Sequence, residues 1–319
     1  MPKNIGIDVG SRFIRVVIPG ETPTFIEEPS VVAINEIGKV IAVGSEAVAF
    51  DASAPGTLKL ERLFVNSVRE PDIRIAAAVF SSLIHKNKAK GANVYLSMSG
   101  GYVREVEETI VEAIQRAGAR DVFAVSATYA ATMGCNVKGA GDSLIINMGY
   151  ENVDMAAYSD GQEVSHNNCE FGGALFDHAI ISHCMKKYQV VISSAEADRI
   201  KKEIGTLLPS KGVSSEVTVI RRLIGLPKKL SVTAEEISSA MEETFDKLFD
   251  SILTVINSLD FKPDKVILTG GGALLQGITS ALEPILCLPV KIAPEPQLAV
   301  IRGLLSLSQR REKQEENNI

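Results

Sequence analysis

The sequence contains no tryptophan, and aromatic residues make up only 5% of its 319 positions. A core must therefore rest on Ile, Val, Leu and Ala, a bias that suits α/β layers whose buried parallel strands read as aliphatic runs. Cysteine is scarce as well. Cys135, Cys169, Cys184 and Cys287 stand far apart, without the spacing of a metal knuckle or a disulfide framework, and read as ordinary reduced residues. No stretch approaches the roughly 18 uninterrupted apolar residues of a membrane span. The opening MPKNIGIDVG passes from a basic residue straight into a strand, with no apolar secretion core, so a cytoplasmic protein is expected. The net charge of −6 gives no bulk attraction to nucleic acid or anionic lipid. A Gly-Lys-Ser/Thr phosphate loop is missing, and so is the dinucleotide glycine fingerprint.

What is present is a weak internal repeat. Residues 5–16 read IGIDVGSRFIRV and residues 144–155 read LIINMGYENVDM, so that Asp8 aligns with Asn147 and Gly10 with Gly149, an offset of 139 in both cases. Each segment is an apolar run, a polar residue, a Gly-bearing turn and a second alternating run, the pattern of a β-hairpin. A repeat this long indicates two similar domains and not a solenoid. Strand and helix signals alternate after each hairpin, as in NVYLSMSG (93–100) followed by a helix ending at Gly118. In the second half, residues 195–205 form a short helix. A capping box at Thr233 and Glu236 opens a long helix with the stripe Ile237, Met241, Phe245, Leu248, Ile252, Val255 and Leu259. The strand DKVILTGGG runs into three glycines and a further helix. The fold class expected is α/β with mostly parallel central sheets.

Two motifs could carry chemistry. At Asp8-Val9-Gly10-Ser11-Arg12, turn amides can converge on a phosphate while the carboxylate holds a metal ion through water; alternatively Gly10 only makes the turn. At Gly270, Gly271 and Gly272 a ligand can approach the backbone, and a helix N-terminus beyond favours negative charge; alternatively the glycines serve tight packing.

In this order, the hairpins, a Lys-bearing helix and a strand ending in three glycines resemble the actin, sugar kinase and DnaK-type chaperone superfamily. The stretches EEPSVVAI (27–34), AVGSEA (42–47), RAGARDVF (116–123), FGGALFDHAI (171–180), ADRIKKEIG (197–205), GLPKKLSVTAEEI (225–237), VILTGGGALLQGI (266–278) and AVIRG (299–303) resemble MreB-type bacterial actins, collinearly and over nearly the whole chain. The resemblance implies a duplicated, ribonuclease H-like two-domain fold with a central cleft. The first domain would span 1–138, with a small subdomain near 27–72 and a C-terminal helix near 297–309 packing back. The second would span 139–296 with a subdomain near 180–240, and 310–319 would be a flexible tail. It further implies ATP or ADP with Mg2+, phosphate contacts at Asp8, Gly10, Ser11, Arg12 and Gly149, Asp8 toward the metal, and an adenosine wall of Asp198, Lys201, Gly270, Gly271 and Gly272.

The chain departs from this family on the phosphate side. Where the family's second hairpin carries Asp and then Gly-Gly-Gly-Thr-Thr, residues 147–152 read Asn-Met-Gly-Tyr-Glu-Asn. Asn147 cannot supply negative charge, and Tyr150 and Glu151 add bulk and a carboxylate. The Glu that orients water before a Pro is replaced in Ser126-Ala127-Thr128, so no catalytic residue is assigned and hydrolysis is expected to be weak or absent. Asp198 stands where Glu is usual. The function implied is a cytoskeletal subunit that self-associates into protofilaments for cell shape or envelope organisation, with other cytoskeletal or envelope proteins as partners. The alternatives are a sugar-kinase-type phosphotransferase, disfavoured by the missing carboxylates, and a non-polymerising pseudo-actin that binds a partner protein. The loop HKNKAKGA (85–92) has three lysines and no large apolar residue, so membrane contact is expected to be weak or absent. Phe64 is assigned to core.

Overall fold

A computed structural model of the chain describes residues 3–53, 58–63, 72–135, 141–208, 211–221 and 227–316. It divides into two compact units, residues 1–140 with 297–319, and residues 141–296. The first unit contains β1 (Asn4–Val9), β2 (Phe13–Ile18), β3 (Thr24–Pro29), β4 (Val31–Ile34), β5 (Val40–Val43), α1 (Ser45–Ser53), β6 (Lys59–Arg62), α2 (Ile73–Lys86), β7 (Asn93–Met98), α3 (Arg104–Arg116), β8 (Val122–Ser126) and α4 (Ala127–Gly134). The second contains β9 (Ser143–Met148), β10 (Val153–Ser159), β11 (Gln162–Cys169), α5 (Gly173–Tyr188), β12 (Val190–Val191), α6 (Ser194–Ile204), β13 (Ser214–Arg221), β14 (Pro227–Thr233), α7 (Ala234–Asn257), β15 (Lys265–Thr269), α8 (Ile278–Leu286) and β16 (Val290–Ile292). The chain then returns to the first unit as α9 (Ala299–Glu316).

The repeat read in the sequence is a repeat of topology. The main sheet of the first unit has the order β3-β2-β1-β7-β8, and that of the second β11-β10-β9-β15-β16. In each, the first two members of the hairpin pair antiparallel and the next two strands add in parallel. A smaller sheet, β5-β4-β6 in one unit and β12-β13-β14 in the other, accompanies each. The central strands are buried on both faces: every residue of β7 is buried, although Asn93, Tyr95 and Ser97 alternate with Val94, Leu96 and Met98, and β9 is buried except for a half-buried Asn147.

In the first unit one face of the sheet, through Ile5, Ile7 and Val9, packs on Phe80 and Leu83 of α2 and Val106 and Ile110 of α3. The other face receives α9: a Cβ on Gly6 would lie 2.8 Å from the Leu304 Cβ. A buried polar chain fixes this contact. The Asn93 side-chain amide donates to Asn4 Oδ1 at 2.9 Å, and Asn4 Nδ2 donates to the Ser308 carbonyl at 3.2 Å. In the second unit Leu144, Ile146 and Met148 pack with Phe176 and Ile180 of α5 and the stripe of α7. The capping box that opens α7 is complete, with Thr233 and Glu236 satisfying each other's backbone amides.

Three expectations change. Residues 310–316 are helical, continuing α9 where a flexible tail is expected, because Arg, Glu, Lys and Gln are good helix formers. His85 and Lys86 end α2 instead of opening the lysine loop, and Lys86 pairs with Glu46 at 2.8 Å, which removes one lysine from a membrane-facing set. The glycine turn does not lead directly into a helix. Gly271–Leu274 form one 3-10 turn and α8 begins only at Ile278, so its N-terminal field falls beyond the glycines. Phe64 lies outside the described residues. No helix among the described residues is long and apolar enough to cross a membrane.

Helices α4 and α9 approach backbone to backbone. A Cβ on Gly134 would stand 1.8 Å from the Ala299 carbonyl oxygen, and one on Gly303 would stand 1.8 Å from that of Ala130. Only hydrogen fits at either crossing, and rigid backbone cannot yield to a methyl group. Gly303→Ala should therefore destabilise the chain by about 2–4 kcal/mol, read as a fall in the urea midpoint. An unchanged midpoint would mean that the two helices do not meet there.

Candidate functional site

The residues nominated from the sequence fall into two groups, one in each unit. In the first, β1 and β2 end in a turn closed by the Gly10 amide, which donates to the Phe13 carbonyl at 3.1 Å. A Cβ on Gly10 would lie 2.7 Å from that carbonyl oxygen, so the glycine is required by the turn itself. Asp8 pairs across the ladder with Arg15. The Arg15 guanidinium stands 3.6 Å from Asp8 Oδ2 and 2.8 Å from Glu27 Oε2, so one arginine is shared by two carboxylates. Ser11 is buried, and the Arg12 guanidinium lies 5.5 Å from the centre of the Phe13 ring. Asp8 and Glu27 thus divide the charge of one arginine, which lies nearer Glu27.

The second hairpin repeats the geometry with different chemistry. The Gly149 amide donates to the Asn152 carbonyl at 2.9 Å, and a Cβ on Gly149 would again stand 2.7 Å from the oxygen. Asn147 pairs across the ladder with Asp154, the residue that aligns with Arg15. The carboxylate missing from 147 thus has a counterpart on the opposite strand. Asp154 is buried and accepts from the Asn168 side-chain amide at 2.7 Å. Asn147 Oδ1 accepts from the Thr269 hydroxyl at 3.2 Å and would lie 2.9 Å from a Cβ on Gly270. Sequence reasoning passed over Asp154, although the period-2 pattern of β10 places it directly opposite Asn147.

The turn between β9 and β10 also fills the start of α5. The amides of Gly172, Gly173 and Ala174 donate to the carbonyls of Glu151, Gly149 and Tyr150 at 3.2, 3.1 and 2.6 Å. The positive end of α5 is therefore satisfied from within the chain. The Tyr150 ring lies against Gly173, 3.5 Å from where a Cβ would stand.

Beneath that turn is a buried ionic network that the sequence only half revealed. Lys201 on α6 donates to Asp177 Oδ1 at 2.6 Å and to the Gly173 carbonyl at 3.0 Å, with Asp198 Oδ1 at 3.4 Å. Lys202 holds the other Asp198 oxygen at 2.8 Å. Asp177 is only 1% exposed, and burial raises its pKa, an effect opposed by the Lys201 charge. Lys201 and Asp198, nominated for adenosine, thus also brace α5 against α6. Asp177 was missed because one carboxylate on an amphipathic helix carries no signal of its own.

The three glycines separate in role. Gly270 has φ 78° and, like Gly272, would collide with Met148 if it carried a Cβ. Around Gly271 a Cβ would meet nothing within 4 Å. Gly270 and Gly272 are therefore packing glycines, and Gly271 presents open backbone that a ligand could approach.

At the expected catalytic stretch, the Ser126 hydroxyl accepts from the Tyr129 amide at 3.1 Å and caps α4. Ala127 and Thr128 are buried. This stretch is a helix start with no acid or base. The thiols are all free, and burial pushes Cys135 up to about 11.

The model for the MreB/Mbl protein family matches residues 2–316. The chain belongs to the MreB/Mbl family. It is 30% identical to the cell shape-determining protein Mbl of Bacillus cereus over 317 residues, 94% of each chain. It superposes on the crystal structure of MreB5 of Spiroplasma citri bound to ADP with a TM-score of 0.88 and 25% identity, covering 98% of both chains. The MamK double helical filament shares the actin-like fold at 15% identity, with a TM-score of 0.81 over 96% of this chain and 98% of that one.

For an Mg2+ ion of the kind the resemblance implies, the first hairpin offers the carboxylate of Asp8, and the second offers at the matching place only the amide of Asn147. Such an ion is usually held by one or two carboxylates together with nucleotide phosphates. Asp8 shares Arg15 with Glu27, Asn147 is uncharged and bonded to Thr269, and Asp154 accepts from the Asn168 side-chain amide.

Removing Lys201 isolates a buried carboxylate. Lys201→Met should cost about 3 kcal/mol of stability at neutral pH. Because the folded-state pKa of Asp177 lies above its unfolded value, protonation favours the folded state, and the penalty should shrink as pH falls through that raised pKa. Urea unfolding at several pH values checks this, and a penalty independent of pH would show that Asp177 is not the group left unpaired.

Proposed function

We propose that this MreB/Mbl-family chain is a cytoskeletal subunit that binds an adenine nucleotide, turns it over slowly or not at all, and assembles into filaments that organise cell shape or the envelope. Adenosine is assigned to Asp198, Lys201 and the Gly270–Gly272 turn, and phosphate to Asp8, Gly10, Ser11 and Arg12, with Gly149 in the matching turn. The observation that carries the reading is an asymmetry. The glycine hairpins keep the same backbone hydrogen bond in both units, while the side chains that would drive hydrolysis are absent from the 126–128 stretch. Loss of a positioned base costs about a hundred- to ten-thousandfold in rate.

Assembly is supported by family membership and by the shared fold with MamK, whose double helical filament is known. Subunits that stack head to tail use a heterologous contact that propagates. Negative-stain electron microscopy of the purified full chain, with and without nucleotide, tests this. Protofilaments are expected under at least one of these conditions. Persistent monomers at high protein concentration would sink the filament reading and favour a non-polymerising pseudo-actin that serves a partner protein.

A further inference from the structure

The side chains assigned to adenosine on the second unit are turned toward one another. An ammonium group has three donors, and those of Lys201 meet Asp177 Oδ1 at 2.6 Å, the Gly173 carbonyl at 3.0 Å and Asp198 Oδ1 at 3.4 Å. The other Asp198 oxygen is held by Lys202 at 2.8 Å. Only 11% of the Lys201 side chain and 7% of that of Asp198 are exposed, so a ligand read by this pair needs it uncovered first. The Tyr150 ring and the Lys201 ammonium flank the same point, 3.5 and 3.4 Å from where a Cβ on Gly173 would stand. The Tyr150 hydroxyl donates to Asp177, the carboxyl that also takes Lys201. All of these residues lie within 141–296, so the arrangement belongs to the second unit alone. Helices α5 and α6 are fixed there by core packing through Phe176, Ile180, Ala197 and Ile200. Tyr150 stands on a turn instead, and it can leave by rotating its own side chain. By the 139-residue offset it aligns with Ser11, so the first turn has a hydroxyl at that place but no ring.

We propose that Tyr150 is a latch on the adenosine wall: held over Gly173 by Asp177, it closes the approach to Lys201, and a nucleoside has to displace it to bind. The inference rests on the reading that Asp198 and Lys201 face adenosine, and it adds the conformational step that such binding requires. When the open form of a site is a minor population, its apparent affinity is lowered by that fraction. A hydrogen bond to a charged group shifts such an equilibrium about ten- to a hundredfold. The latch therefore keeps the wall closed in most molecules at rest and yields it to nucleotide.

The test mixes the full chain, in Mg2+, with ADP carrying a fluorophore on its terminal phosphate. Stopped flow gives the association and dissociation rates, and competition with unlabelled ADP gives the dissociation constant. Tyr150→Ala should tighten ADP binding about ten- to a hundredfold. The gain should appear in the association rate, because the open fraction multiplies that step. Tyr150→Phe, which loses the hydroxyl and keeps the ring, should show a smaller gain of the same kind, and it decides alone if the turn does not tolerate alanine. Thermal unfolding of each variant checks the fold. A folded variant that binds ADP no more tightly than the parent, or that changes only in its dissociation rate, would overturn the inference and leave the nucleotide reading standing. Binding by the variants where the parent shows none would support both. No binding by the parent or by either folded variant would overturn both.

Discussion

A carbonyl oxygen lies 2.7 Å from the place where a side chain would begin, at Gly10 and again at Gly149. That close approach turns β1 into β2 and β9 into β10, and every other strand of each main sheet is added to one of those hairpins. A larger residue at either position would open the turn and lose the hydrogen bond that closes it. The same backbone constraint therefore persists in both units although their side chains have diverged.

The chemistry around the turns is freer to change. In the first unit a carboxylate on one strand faces an arginine on the next, and in the second an asparagine faces a buried aspartate. The second turn spends its carbonyls on the amides that open α5, and its Tyr150 rests on Gly173. Lys201, Asp177 and Asp198 lock that helix to its neighbour from below. The second turn is thus strongly structural in this chain.

Much of the fold was legible because its signals are local. The 139-residue repeat, the capping box at Thr233 and the stripe on α7 each rest on spacing alone. The family resemblance rested on collinear motifs. The site was less legible, because its decisive facts are contacts between distant segments. Nothing in the sequence near Lys201 announces Asp177, 24 residues earlier, and nothing near Gly270 announces Met148. The division of the three glycines into two that pack and one that is open is likewise a property of what lies opposite them. The end of α9 was misread for another reason: charged residues without periodicity suit a tail and a solvated helix equally well.

As proposed above, the chain holds nucleotide and turns it over slowly or not at all. Its most direct test is a single-turnover experiment, in which γ-labelled ATP is bound to excess purified protein and the bound label is followed over time. The account predicts that label is retained on the protein as intact ATP over many minutes. Prompt release of labelled phosphate, at a rate ordinary for an actin-like ATPase, would contradict it.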